Sequence, residues 1–256
     1  MYMDSPSIYC AVGTPALRYT KEILQKMGLL VSAEPNAEVR HLLLDVPSFQ
    51  ETGQLRMGGH LEPLLVQLPA DVTVYGGNLN HPALRNYRTV DFLKDPFYLA
   101  ENAYITAECA LDVALPYLTV TLRDCPTLII GWGRIGKCLG VILKGIGANV
   151  TVAARKETDR AMAQALGYAV LDTAKLPRQL HRFRLIYNTV PELILKKSET
   201  SQIDETCTVI DLASKQGIEY DDLIIARGLP GIHMPESSGK LIAQTFLYYY
   251  NKEVTP

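Results

Sequence analysis

Short, uniformly apolar runs alternate with helical stripes along this chain. Ile8–Val12, His41–Leu44 and Val72–Tyr75 read as strands, with a helix near Ala16–Met27 between the first two. A second series comprises Leu128–Ile130, Asn149–Ala153, Tyr168–Leu171, Leu185–Asn188, Thr208–Asp211 and Leu223–Ala226. Ile135, Leu139, Ile142, Leu143 and Ile146 form a stripe at helical spacing, and a further helix is expected near Thr158–Leu166. Strands that are apolar on both faces and separated by helices predict parallel sheets covered on each side. Between the two series, Leu99–Leu115 carries Ala103, Ala107, Ala110, Leu111 and Ala114 near helical spacing and predicts a long helix. Another helix is expected over about Ser237–Tyr250.

The connection after Leu128–Ile130 is the most specific feature. Gly131-Trp132-Gly133-Arg134-Ile135-Gly136 has the spacing of a dinucleotide pyrophosphate turn and is followed by the helical stripe and a second strand. The first glycine permits a tight turn, the second lets the backbone approach a phosphate, and the third lets helix and strand pack closely. Amide groups and the positive end of the helix dipole then face the anion. Gly145 and Gly147 stand where a left-handed cap would end that helix. This unit predicts an α/β fold of two Rossmann-like three-layer domains with parallel sheets. Residues 1–98 would form an N-terminal substrate-side domain, 99–118 an interdomain helix and 119–235 the nucleotide domain. A C-terminal helix in 236–256 would return toward the N-terminal domain.

The second strand of such a unit ends beside the adenosine ribose. Here it ends in Ala153-Ala-Arg155-Lys156, with no carboxylate to accept from a ribose diol. A cation there suits a 2′-phosphate, which favours NADP over NAD. The bland alternative is that Arg155 and Lys156 are solvated loop charges. Two further strand ends carry polar groups that could line a cofactor site: Asn188-Thr189-Val190-Pro191 and Asp211-Leu212-Ala213-Ser214. An Asx turn at the first and a helix cap at the second are the structural alternatives. Ser237 and Ser238 begin the expected last helix and could hold a carboxylate, or could simply cap it.

Composition narrows the remaining classes. The 256 residues are 48% hydrophobic, enough to bury a sizeable core in one large domain or two modest ones. A net charge of −2 without a long basic run provides no footprint for nucleic acid or an anionic membrane surface. Cys10, Cys109, Cys125, Cys138 and Cys207 form no CxxC or metal-ligand spacing, so no metal site is expected and the thiols read as reduced. No leader or spanning segment is apparent, and a cytoplasmic location is the expectation.

Taken together, the glycine turn, Ala-Ala-Arg155, Asn188–Pro191, Asp211–Ser214, Gly228-Leu-Pro-Gly231 and the Asn102–Glu108 segment resemble the A-type subunit of dipicolinate synthase. The resemblance runs in order from about Val90 to Gln244 and is looser before it. It implies NADP-linked oxidation of a dihydrodipicolinate-type ring, derived from the diaminopimelate pathway, to the dipicolinate of bacterial spores. It also implies a heteromeric enzyme with a B-type subunit, alongside a homo-oligomer. Departures occur in the first loop, where Gly13-Thr-Pro-Ala-Leu-Arg18 lacks the family's acidic residue and shifts its arginine, and at His233. For a dicarboxylate substrate the expected ligands are Ser237, Ser238, Lys240 and Arg18, with Thr106 also lining the site. Glu108 and Asn102 are the candidate catalytic groups, Glu108 as a base if burial raises its pKa. Two other classes stay open: a different NAD(P)-dependent dehydrogenase of the 2-hydroxy-acid type, and a catalytically silent NADP-binding regulatory subunit.

Overall fold

The structure, a computed structural model, describes residues 7–254. It divides into two compact units, one running up to Asn102 and resuming at Pro230, the other spanning Ala103–Leu229. The first unit holds β1 (Ser7–Cys10), α1 (Pro15–Lys26), β2 (Val31–Ser32), β3 (Val39–Leu43), the short α2 (Leu61–Leu65), β4 (Thr73–Gly76) and β5 (Thr89–Asp91). Its five strands are all parallel, in the order β2-β1-β3-β4-β5. Ile8, Leu42, Leu43, Val74 and Tyr75 are fully buried, as expected for strands covered on both faces. β1 stops at Cys10, short of the expected Val12, because the Val12 amide turns back to the Cys10 carbonyl at 3.0 Å. The edge strands β2 and β5 are only two and three residues long and leave no periodic trace in the sequence.

Helix α3 (Pro96–Ala114) carries the chain into the second unit. There follow β6 (Pro126–Ile130), α4 (Arg134–Gly145), β7 (Asn149–Ala154), α5 (Glu157–Ala165), β8 (Ala169–Asp172), β9 (Leu185–Asn188), β10 (Thr208–Asp211) and β11 (Ile224–Ile225). All six strands are parallel, ordered β11-β10-β9-β6-β7-β8. The winding reverses between β6 and β9, so the crevice beyond their carboxyl ends is where an open sheet of this kind binds ligands. The connections after β8 and β9 are 3-10 turns over Thr173–Arg178, Leu180–Arg182 and Lys197–Gln202 in place of regular helices, and Pro177 lies inside the first.

The buried face of α4 departs from the apolar stripe. Gly136, Leu139, Gly140 and Leu143 face inward, while Ile146 is 43% exposed. Gly140 faces the Trp132 ring, where an added Cβ would lie 3.1 Å from two ring carbons. A hydrophobicity pattern cannot register a glycine whose value is its missing side chain. The helix runs to Gly145 and is followed, after Ile146, by Gly147 in the left-handed region at φ +87°.

The chain leaves the second unit through the short α6 (Leu229–His233) and forms α7 (Pro235–Val254), which packs on α1 within the first unit. Gly239 permits that approach: a Cβ there would meet the Ala16 carbonyl and lie 2.7 Å from Tyr19 Cβ. The Thr20 hydroxyl donates to the Gly239 carbonyl at 2.9 Å. No helix among the described residues is long and apolar enough to cross a membrane.

Candidate functional site

At the end of β6, Gly131 stands at φ +101°, a left-handed conformation that favours glycine. Its surroundings exclude a side chain, which would run into Thr189 Oγ1 and lie 2.8 Å from Val190 Cγ2. The turn is pinned from both sides. Gly131 N donates to the Ala153 carbonyl of β7 at 2.8 Å, and Thr189 N and Oγ1 both donate to the Ile130 carbonyl, at 2.9 and 3.0 Å. Gly136 is equally constrained, since a Cβ would strike the Gly131 carbonyl. Gly133 differs: apart from its chain neighbours, nothing among the described residues lies within 4 Å of the position its Cβ would occupy. It is the N-cap of α4, has no side-chain cap, and precedes a first turn that carries Arg134 and no acid. Two glycines are thus required by the fold and one faces open space, with uncapped helix amides beside it. That is the arrangement a phosphate needs.

A cleft of about 180 Å³ adjoins this turn, bounded by Gly131, Ala153, Arg155, Lys156, Val190 and Glu192 among others. Arg155 Nη1 lies 3.5 Å from Glu192 Oε2, with both side chains largely exposed. Arg160 holds the adjoining backbone: Nη1 donates to the Ala154 and Arg155 carbonyls at 2.8 and 2.7 Å and pairs with Asp172 at 3.2 Å. Trp132 contributes its backbone to the turn, while its ring is buried against Gly140 and packs edge-on to Tyr168 with centroids 5.1 Å apart. Its Nε1 has no hydrogen-bond partner among the described residues.

Asn188 and Asp211 are fully buried, and their polar atoms are engaged within the protein. Asn188 Nδ2 donates to Asp211 Oδ2 and to the Val190 carbonyl, both at 3.0 Å, and its Oδ1 accepts from Val190 N at 3.1 Å. Asp211 also accepts from Ala213 N at 3.0 Å and Gly217 N at 2.8 Å. These two side chains shape the loops that border the crevice, so the Asx-turn alternative describes Asn188 well. Thr189 and Val190 are half-buried, Pro191 and Ser214 exposed, and Leu212 and Ala213 buried.

The substrate-side candidates differ in exposure. Arg18, Ser237 and Lys240 are exposed, whereas Ser238 is buried and its amide is bonded to the Met234 carbonyl at 3.0 Å. Glu236 adds a carboxylate to the first turn of α7, which does not favour an anion there. On α3, Asn102 is half-buried, Thr106 buried and Glu108 exposed. No cluster of three or more potential metal ligands occurs among the described residues.

A carboxylate outside the predicted site residues also stands at a strand end. Asp45, just beyond β3, is only 2% exposed, accepts from Gly13 N at 3.0 Å and makes a short hydrogen bond with the Thr14 hydroxyl. Burial pushes its carboxyl above the ordinary aspartate value, opposed by the bonds from Thr14 and Gly13 and by Arg56. The Ser48 hydroxyl donates to the Asp45 carbonyl at 2.8 Å and accepts from Gly77 N at 3.1 Å. The ends of β1, β3 and β4 are thereby linked. The available signal was an acid at a strand end, weak because such residues also serve as ordinary turn formers.

Comparison with known proteins supplies a family context. No family model matches the chain. The A-type subunit of dipicolinate synthase from Bacillus subtilis (strain 168) is 28% identical over 150 residues, which span 56% of this chain and 50% of that protein. The solved structure of its counterpart, the dipicolinate synthase A-type subunit from Bacillus halodurans, superimposes with a TM-score of 0.83 at 20% identity, covering 96% of this chain and 97% of the other. A transhydrogenase from Sinorhizobium meliloti gives 0.71 at 12% identity, with 91% and 80% covered. The resemblance to this dipicolinate synthase component therefore holds in sequence and in fold, and the architecture is that of two parallel-sheet, Rossmann-like units.

Proposed function

We propose that this chain is the NADP-binding subunit of a dipicolinate synthase that oxidises dihydrodipicolinate to dipicolinate during sporulation. The observation that carries the cofactor part is the uncapped start of α4 beside Gly133, open where Gly131 and Gly136 are crowded. The amides of Arg134, Ile135 and Gly136 would meet the pyrophosphate, and Arg155 and Lys156 on the adjoining cleft would meet a ribose 2′-phosphate. Asn188 and Asp211 act indirectly, by holding the Thr189–Pro191 and Leu212–Ser214 loops in place. The reaction itself is supported by the sequence similarity to the Bacillus subtilis synthase component. When bound, oxidised NADP would accept a hydride from the ring while a base takes the proton, and aromatisation favours that direction. Arg18, Ser237, Ser238, Lys240 and Thr106 are proposed for the dicarboxylate, and Asn102 and Glu108 for catalysis. The exposure of Glu108 favours a second reading, a nucleotide-binding subunit whose catalytic groups come from elsewhere.

The partners proposed are a B-type synthase subunit and further copies of this chain, in the cytoplasm. The test is to co-express the chain with a B-type partner, supply the dihydrodipicolinate precursor and oxidised NADP, and follow dipicolinate and NADPH by ultraviolet absorbance. Stoichiometric appearance of both supports the synthase reading. Nucleotide binding without product leaves the silent-subunit reading, and absence of nucleotide binding overturns both.

A further inference from the structure

We infer that Glu192 sets the balance between NADP and NAD by competing with the ribose 2′-phosphate for Arg155. The inference rests on the cofactor reading above and adds to it a residue that opposes the preferred cofactor. Arg155 Nη1 and Glu192 Oε2 are 3.5 Å apart on the lining of one cleft. Both backbones are anchored. Arg160 bonds the Ala154 and Arg155 carbonyls, and Gly217 is packed so tightly under the other loop that a Cβ there would come within 2.7 Å of the Val190 and Glu192 carbonyl oxygens. The fold thus places the Glu192 and Arg155 backbones on the same cleft, while the two charged heads, 78% and 65% exposed, can separate at low cost.

The two nucleotides meet this pair differently. A 2′-phosphate needs the guanidinium that Glu192 already engages, and brings its own charge close to the carboxylate. A 2′-hydroxyl needs an acceptor, and Glu192 is one. Lys156 and Asp159 add one charge of each sign to the same lining. An arginine alone would give a steep preference for NADP; the arginine and glutamate together give a shallow one.

The test is to measure NADPH and NADH affinities by nucleotide fluorescence for the wild-type chain, Glu192→Gln, Arg155→Gln and Glu205→Gln. Glu192→Gln is expected to tighten NADPH about three- to fivefold, the size of an exposed charge pair, with NADH unchanged or weaker. The gain should shrink in about 0.5 M salt. Arg155→Gln should weaken NADPH selectively. Glu205→Gln removes the same charge at the far end of β10 and should leave the ratio unchanged. An unchanged ratio in Glu192→Gln, or the same shift in Glu205→Gln, overturns the inference while leaving the cofactor reading standing. Failure of the wild-type chain to bind either nucleotide overturns both.

Discussion

Asn188 and Asp211 stand opposite one another in register on β9 and β10, both fully buried, and the Asn188 amide donates to Asp211 Oδ2 at 3.0 Å. Asp211→Ala would strand the donors of Asn188, Ala213 and Gly217. With each buried orphan donor costing about 1–3 kcal/mol, the loss should exceed about 3 kcal/mol. Urea unfolding followed through Trp132, the single tryptophan, reads it directly. A change below about 1 kcal/mol would remove the case for this pair as the scaffold of the two loops.

The three glycines of the turn should separate stability from binding. Gly136→Ala drives a Cβ into the Gly131 carbonyl and should lower the melting temperature strongly. Gly133→Ala meets open space at an ordinary φ of −80° and should cost under about 0.5 kcal/mol, yet weaken nucleotide binding by about tenfold or more. Thermal melts paired with nucleotide titrations distinguish the two. Equal loss of stability in both variants contradicts the assignment of Gly133 to the ligand.

Asp45 links stability to pH. Its folded-state carboxyl is raised above the ordinary 3.8, chiefly by burial, so the folded state binds its proton more tightly than the unfolded chain. The resulting contribution is fully present below pH 3.8 and is lost as pH rises through the folded value. Relative to Asp45→Asn, the wild-type chain should therefore lose stability as pH rises from 3.8 through the folded-state value, and stay level above that folded-state value. Denaturation midpoints of both proteins across pH 4 to 8 check the sign, and a difference that grows in the opposite sense refutes it.

Thiol reactivity should be narrow. Burial pushes Cys10 and Cys207 up to about 12, Cys109 up to about 11, and Cys125 upward as well. Only Cys138 is partly accessible. Iodoacetamide at pH 8 should modify at most that residue in the native protein and all five after unfolding, as mass spectrometry would count.

Legibility in the sequence followed the range of each interaction. The boundaries of β9 and β10 were readable to the residue, because short apolar runs, Leu185–Tyr187 and Val209–Ile210, end in Asn188 and Asp211. The glycine turn was readable because its demands on φ and packing are local. Ile146 misled because amphipathicity counts side chains, and the inward face of α4 is built partly on the absence of side chains at Gly136 and Gly140. The 3-10 crossovers after β8 and β9 were not foreseen, since a parallel sheet requires only that the chain return, not that it return as a helix.

By itself, the sequence determined the α/β class, the parallel strands, the glycine turn and the cation at Arg155. All of these are encoded in short windows by apolar periodicity and backbone stereochemistry. Tertiary structure alone decided that Gly133 faces open space while its two partners are crowded, and that Asn188 and Asp211 bond each other. It also decided that Asp45 reaches the Gly13 loop and that Glu192 meets Arg155. The reason is that strands adjacent in a doubly wound sheet are distant in the chain. Which charges and donors meet at their ends is set by strand order, a property no local window contains.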